Sequence, residues 1–269
     1  MKILTHLIIA IALAAPVLAQ TPTPTIEAQV KQELNEAARA YRLGNFTEAQ
    51  ARSEHALQLD PQNKTAMMFV ARTIHAQYKP GDTTIDNVAK AQEAIIAYRR
   101  IIDRSPGDDE AYKAVAYFYD VLKEDDLFRT WLLQRAGNSS VANDKRAEAF
   151  VILASKDWDC SFKITELPTN KIAAARGNKG QVSYRMPKDR VEFERAQECA
   201  NRGLEMANMA VTLTPENESA WSYKTNILLE LAKLAEMSGD AHGKREFQRQ
   251  YEEARTETAK HSKQREVEP

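Results

Sequence analysis

Along most of the chain, apolar residues return every three to four positions, the spacing of one face of an α-helix. Ala66, Met67, Val70, Ala71 and Ile74 form one such stripe, and Ala111, Tyr112, Val115, Ala116 and Tyr119 form another. Shorter stripes are Ala37, Ala40 and Tyr41, then Ala49, Ala56 and Leu57, then Ala91, Ala94, Tyr98 and Ile101, and Ala149, Phe150, Leu153 and Ala154. Residues 127–135, with Trp131, match loosely; 192–213 and 220–236 read as long helices, and a charged closing helix follows around Phe247, Tyr251 and Ala254. Three helical runs end at a proline that is followed five residues later by alanine and a large residue: Pro61 with Ala66-Met67, Pro106 with Ala111-Tyr112, Pro215 with Ala220-Trp221. Proline cannot continue a helix, so each mark separates one helix from the next. The period changes at residues 160–165 and 181–186, which alternate in polarity and predict two short strands.

The fullest copy of the helical pattern is 36–61, where Gly44-Asn45-Phe46 forms the turn between the two stripes. Gly44 can take a left-handed backbone at the end of the first helix, and the alanines let two antiparallel helices approach closely. This resembles the tetratricopeptide repeat. The resemblance implies an all-α solenoid of four to five helical hairpins, whose first helices line a groove that holds a protein or peptide. The three prolines lie 45 and 109 residues apart, against a period of about 34 for that repeat. The excess predicts a second repeat lengthened around Lys79-Pro80-Gly81-Asp82, and an irregular insertion with a potential β-hairpin at about 157–189 in the fourth. Lys224 stands where earlier copies carry an apolar residue, as suits a polar terminal cap.

The beginning of the chain departs from this pattern. Lys2, an apolar stretch at 8–13 and small residues before Gln20 read as an export signal. The expected organisation is a signal at 1–19, a linker at 20–26, the repeat domain at 27–264 and a disordered tail at 265–269. The expected location is accordingly the bacterial periplasm or the exterior, with no transmembrane segment once the signal is removed. With 37 basic and 38 acidic residues the chain is nearly neutral, which argues against a nucleic-acid partner. Cys160 and Cys199 are the two cysteines. An even count in an oxidising compartment favours a bond between them, with Cys160 expected just beyond the first helix of repeat four; two buried thiols are the alternative.

No reaction is written in the residues. The histidines lack metal-ligand spacing and no phosphate-cradling loop is present, so no catalytic residue, cofactor or metal is assigned. The acidic residues Asp157, Asp159 and Glu166 read as solvated. Projecting the first helices places Met68, Arg72, His75, Lys113, Tyr117, Asp120, Val151, Ser155 and Trp158 on the groove side. Mixed polar and aromatic surfaces suit recognition of a protein by a few anchors. The expectation is a non-catalytic scaffold or adaptor of the cell envelope. The alternative is a binder of an anionic polymer or membrane surface through the basic stretch 162–190, with Lys171, Arg176, Lys179 and Arg185 as contacts. An enzyme ranks third.

Overall fold

A computed structural model describes residues 24–176 and 179–267, with side chains except at 173–181 and 264–267. The expected signal and most of the linker lie outside these residues, as do 268–269. Among the described residues, ten α-helices form five antiparallel hairpins. They are α1 (Ile26–Arg42) with α2 (Phe46–Leu59), α3 (Lys64–Gln77) with α4 (Ile85–Arg104), α5 (Asp109–Val121) with α6 (Asp125–Gly137), α7 (Asn143–Thr165) with α8 (Arg190–Leu213), and α9 (Glu218–Ser238) with α10 (Ala241–Val267). The last helix thus extends into the expected tail. No helix among the described residues is long and apolar enough to cross a membrane.

The three proline marks build the same joint three times. Asp60, Ser105 and Thr214 close their helices with N–H bonds to Ala56, Ile101 and Ala210, and each carbonyl then accepts from the N–H of Asn63, Asp108 or Asn217. Those three residues are helix N-caps whose side chains accept from the N–H of Ala66, Ala111 and Ala220. A cap of this kind satisfies one orphaned donor and is worth about 1 kcal/mol. The alanine is small because it is fully buried at the junction. The joint is therefore Pro, any residue, Asn or Asp, two residues, Ala.

A second joint, inside the hairpins, needs a left-handed residue. Gly44 (φ 77°), Lys123 (φ 61°) and Gly239 (φ 76°) occupy equivalent places. The residues that follow them bond back to Ala40, Tyr119 and Ala235 carbonyls at 2.8–2.9 Å. Lysine bears a Cβ strain there that glycine avoids. Lys123→Gly should raise stability by up to about 1 kcal/mol, the relief being partly offset by the added freedom of the unfolded chain, as chemical denaturation would measure.

Alanines at zero exposure run down the hairpin interfaces, at 37, 49, 56, 66, 71, 91, 94, 111, 147, 154, 196, 200, 207, 210 and 220, and Tyr98, Phe118, Leu132, Leu153, Ile227 and Leu228 fill the space between them. One core extends from α3 to α9, while Val30, Ala56 and Ala66 form a separate small cluster between the first hairpin and α3, with Leu57 packed against both. The extra length of repeat two is divided between a 78–84 loop and a 20-residue α4. Asn87 ties that loop by accepting from Lys79 N–H (2.8 Å) and donating to the Lys79 and Asp82 carbonyls (2.9 and 2.7 Å).

Repeat four corrects the sequence reading in two places. Residues 160–165 are helical, and the β-hairpin is β1 (Lys171–Arg176) with β2 (Lys179–Tyr184), paired antiparallel from Lys171 with Tyr184 to Arg176 with Lys179. Asp157, Ser161 and Thr165, one turn apart, are all buried, so helical burial overrides the short polar alternation. Cys160 accordingly lies inside α7, not beyond it, and the insertion runs from 166 to 189. Cys160 and Cys199 are disulfide-bonded with Cα atoms 6.0 Å apart, joining α7 to α8. Gly203 lets these helices and α9 meet: a Cβ there would lie 3.0 Å from Ile227 Cδ1 and 3.2 Å from Asp157 Cβ.

Candidate partner-binding groove

On the side of the array formed by the first helices, ion pairs tie repeat two to three and repeat three to four. Arg72 of α3 makes a two-pronged contact with Glu110 of α5. Lys113 of α5 reaches Glu148 of α7 at 3.0 Å and Asp109 of its own helix at 3.0 Å. Asp120 of α5 holds Lys156 of α7 at 2.7 Å. The Arg72 contact holds the Glu110 carboxyl below its ordinary range and raises the guanidinium; the two carboxylates around Lys113 likewise raise its ammonium.

Between α1, α3, α4 and α5 lies a depression of about 520 Å³, lined by Tyr41, Arg72, His75, Tyr98, Glu110, Lys113 and Tyr117 among others. His75 stacks on Tyr117 (centroids 5.6 Å, 18°), tilts against Phe118 at 4.6 Å and meets Tyr98 edge-on at 5.9 Å. Burial lowers the affinity of His75 for a proton, against the opposing pull of Glu110. The neutral ring suits the Tyr98 hydroxyl 3.3 Å from Nδ1, which donates if the proton is assigned to Nε2. Burial pushes the Tyr98 phenol well above its usual range, so that hydroxyl keeps its proton. Tyr117 remains 38% exposed. An aromatic floor with a charged rim results.

Of the residues projected from sequence, Arg72, His75, Lys113 and Tyr117 meet in this depression. Asp120 sits further along α5 in its ion pair, and Ser155 is half-buried on α7. Met68, Val151 and Trp158 are half-buried against the core, Trp158 tilted against Phe162 at 4.9 Å and meeting Tyr223 of α9 edge-on at 6.3 Å. Tyr41, Tyr98 and Glu110 were not foreseen. Tyr98 belongs to a second helix and carries the spacing of a core residue, which hides that its hydroxyl reaches the groove side.

Of the acidic residues of repeat four, Asp159 is solvated as expected, its side chain 45% exposed, whereas Asp157 and Glu166 are not. Asp157 is buried between Arg129 of α6 (3.1 Å) and Arg202 of α8 (3.2 Å), and Asp159 holds Lys163 at 2.5 Å. Glu166 bonds Lys233 of α9 (2.6 Å), Lys171 and the Tyr184 hydroxyl (2.9 Å). Lys233 also holds Glu230 at 2.6 Å, and Glu230 accepts from Thr165. Burial opposes charge on Glu166, but the hydrogen bonds from Lys171, Lys233 and Tyr184 outweigh it and hold its pKa at about 2. This cluster clamps the base of the β-hairpin against the ends of α7 and α9. Lys171 is thus engaged within the insertion, and Arg185 donates to the Thr169 carbonyl at 2.7 Å. The side chains of Arg176 and Lys179 lie outside the described residues.

No family model matches the chain, and no curated protein does. Among solved structures it is similar to MamA residues 41 to the end from Desulfovibrio magneticus RS-1, at 13% identity over 91% of this chain and 100% of that one, TM-score 0.44. It is also similar to YrrB, described as a tetratricopeptide-repeat protein with an unusual peptide-binding site, at 11% identity over 84% and 98%, TM-score 0.38. A repeat protein of Bacteroides fragilis NCTC 9343 follows at 18% identity over 74% and 97%, TM-score 0.33. Five antiparallel hairpins, small residues at their interfaces and one repeated cap-and-turn joint make this chain a protein of tetratricopeptide-repeat fold.

Proposed function

We propose that the chain is a non-catalytic interaction scaffold or adaptor, exported to the bacterial cell envelope, that holds an extended peptide segment of a protein partner in the depression between α1, α3, α4 and α5. The observation that carries this reading is the convergence of Tyr41, His75, Tyr98 and Tyr117 from four helices, rimmed by Arg72, Glu110 and Lys113. Stacked aromatic rings offer contact area that loses little side-chain freedom on binding, and Arg72 and Lys113 can meet acidic groups of the segment. The ion pairs that already hold them keep these cations in place before binding.

The test is site-specific photocrosslinking in the native host, with the reactive group at Tyr117 or Arg72 and, as control, at exposed Leu133 of α6. The expected result is one protein captured from the groove positions and absent from the control. Capture of the same set from all three positions, or none from the groove, would count against the reading. With the captured partner in hand, Tyr117→Ala should weaken binding by about 2 kcal/mol, roughly thirtyfold. The same change should also cost about 1–2 kcal/mol of folding stability, because the ring stacks on His75 and meets Phe118 edge-on, so binding is compared under conditions where the variant is shown to be folded.

A further inference from the structure

Exposed apolar side chains are not spread evenly over the array. Among the described residues, fifteen large apolar side chains are exposed, and six of them fall between 162 and 191: Phe162, Leu167, Ile172, Val182, Met186 and Val191. Single exposed apolar residues are ordinary, whereas a concentration of them marks an interaction surface. The six gather at one end of the α7–α8 hairpin, on the last turns of α7, the β-hairpin and its flanks, and the first turn of α8. Hydrogen bonds fix this end in place. The Asn170 amide donates to the Ile164 carbonyl at 2.8 Å, Arg185 N–H to the Asn170 carbonyl at 3.0 Å, and the Tyr184 hydroxyl to Glu166 at 2.9 Å.

The register of the β-hairpin adds a constraint. Paired residues share a face, and neighbours along a strand alternate between faces. Lys171 and Tyr184, both bound to Glu166, therefore share their face with Val182, while Ile172 and Ser183 lie on the opposite one. Ile172 is 44% and Val182 50% exposed, so each face presents an apolar side chain to solvent.

Charge points the same way. Residues 159–195 hold eight cations and five acids, in a chain whose net charge is -1. Several of these pair internally: Lys163 with Asp159 at 2.5 Å, Lys171 with Glu166, and Arg190 with Glu194 at 2.9 Å. Asp189 accepts from Val191 N–H as the cap of α8. The surplus lies within 167–188, which contains five cations and no acid. There, Arg185 and Lys188 are exposed and have no carboxylate partner among the described residues.

We propose that this end of the α7–α8 hairpin is a peripheral binding surface for a bilayer containing anionic phospholipid, with Arg185 and Lys188 at the headgroups and the exposed apolar side chains entering the headgroup boundary. The apolar positions favour lipid over a soluble anionic polymer. Their presence on both faces of the β-hairpin favours a fluid surface that closes around it over a rigid partner that covers one face. The surface is separate from the groove, and its test does not depend on the groove's partner.

The mature protein would be sedimented with vesicles of phosphatidylcholine alone and with vesicles containing about 30% phosphatidylglycerol. Half-saturation is expected at about 1 mM lipid or lower on the anionic vesicles, at least about tenfold higher on the neutral ones, and binding should be largely lost at about 0.5 M salt. Lys188→Gln should weaken binding about fivefold. Val182→Ser combined with Met186→Ser should weaken it about tenfold. These three side chains are exposed, so thermal unfolding of the variants should match the parent and separate lost binding from lost structure. The proposal is overturned by no sedimentation at about 5 mM anionic lipid, by equal binding to both vesicles, or by variants that bind like the parent. Binding to soluble polyglutamate that displaces the vesicles and is untouched by the serine changes would also overturn it, assigning the surface to an acidic polymer.

Discussion

Replacing Lys233 with methionine is expected to destabilise the C-terminal end of the array by about 3–5 kcal/mol, the range for removing one partner of a buried ion pair. Lys233 is 7% exposed and Glu230 is 1% exposed, and the ammonium lies 2.6 Å from both Glu230 and Glu166. Methionine fills a similar volume but leaves Glu230 charged and buried, with Thr165 as its hydrogen-bond partner. Hydrogen exchange is the appropriate measurement because repeat arrays open in segments. Faster exchange should be confined to the ends of α7 and α9 and the β-hairpin. Adding Glu230→Gln should recover much of the loss, since the two residues act as a unit. A loss below about 1 kcal/mol would show that water screens the cluster.

The same cluster sets an acid sensitivity. The folded protein holds Glu166 at about 2, below its ordinary value of 4.5. The folded state therefore releases that proton more readily than the unfolded one, and the associated stability is present above about 4.5 and lost as pH falls from there toward 2. In Lys233→Met the slope should flatten, because a main cause of the depression is gone.

Reduction of the Cys160–Cys199 bond is the second large expected effect. The bond closes a loop of sequence separation 39, for which loop entropy gives an upper value of about 4 kcal/mol. Cys160→Ala combined with Cys199→Ala should reproduce the effect of reductant within the error of denaturant extrapolation. Substitution and reduction agreeing at near zero would mean that α7–α8 packing alone holds the loop. A loss spread equally over all five hairpins would contradict the local role, whereas loss centred on repeats four and five is the expected pattern.

Much of the architecture was legible because the repeat announces itself through local chemistry. Pro61, Pro106 and Pro215 each precede a capping residue and a buried alanine at fixed offsets, and such signals survive without knowledge of tertiary contacts. The first strand was misplaced because six residues of alternating polarity fit a strand, while Asp157, Ser161 and Thr165 share a helix face only when the longer window is read. The clamp was invisible because Glu166 and Lys233 are 67 residues apart and meet through an insertion with no repeat to align. Half of the groove was legible from first-helix projection. Tyr41 and Tyr98 were not, because periodicity identifies a buried ring without showing where its hydroxyl emerges.

The repeated joint has a consequence for how such a chain can change. Three junctions share one set of backbone bonds, so each is a seam at which a whole hairpin can be added, removed or exchanged without inventing a new turn. Repeat two lies between two such seams and is the part a single exchange could replace, whereas repeat three has a seam only at Pro106 and meets repeat four through a different turn at 138–142. Repeats four and five are also divided by one, at Pro215, yet the β-hairpin of one is bolted to the helix of the other through Glu166, Tyr184 and Lys233. These two must be inherited together, so variation in length is free toward the N-terminal side and locked toward the C-terminal side.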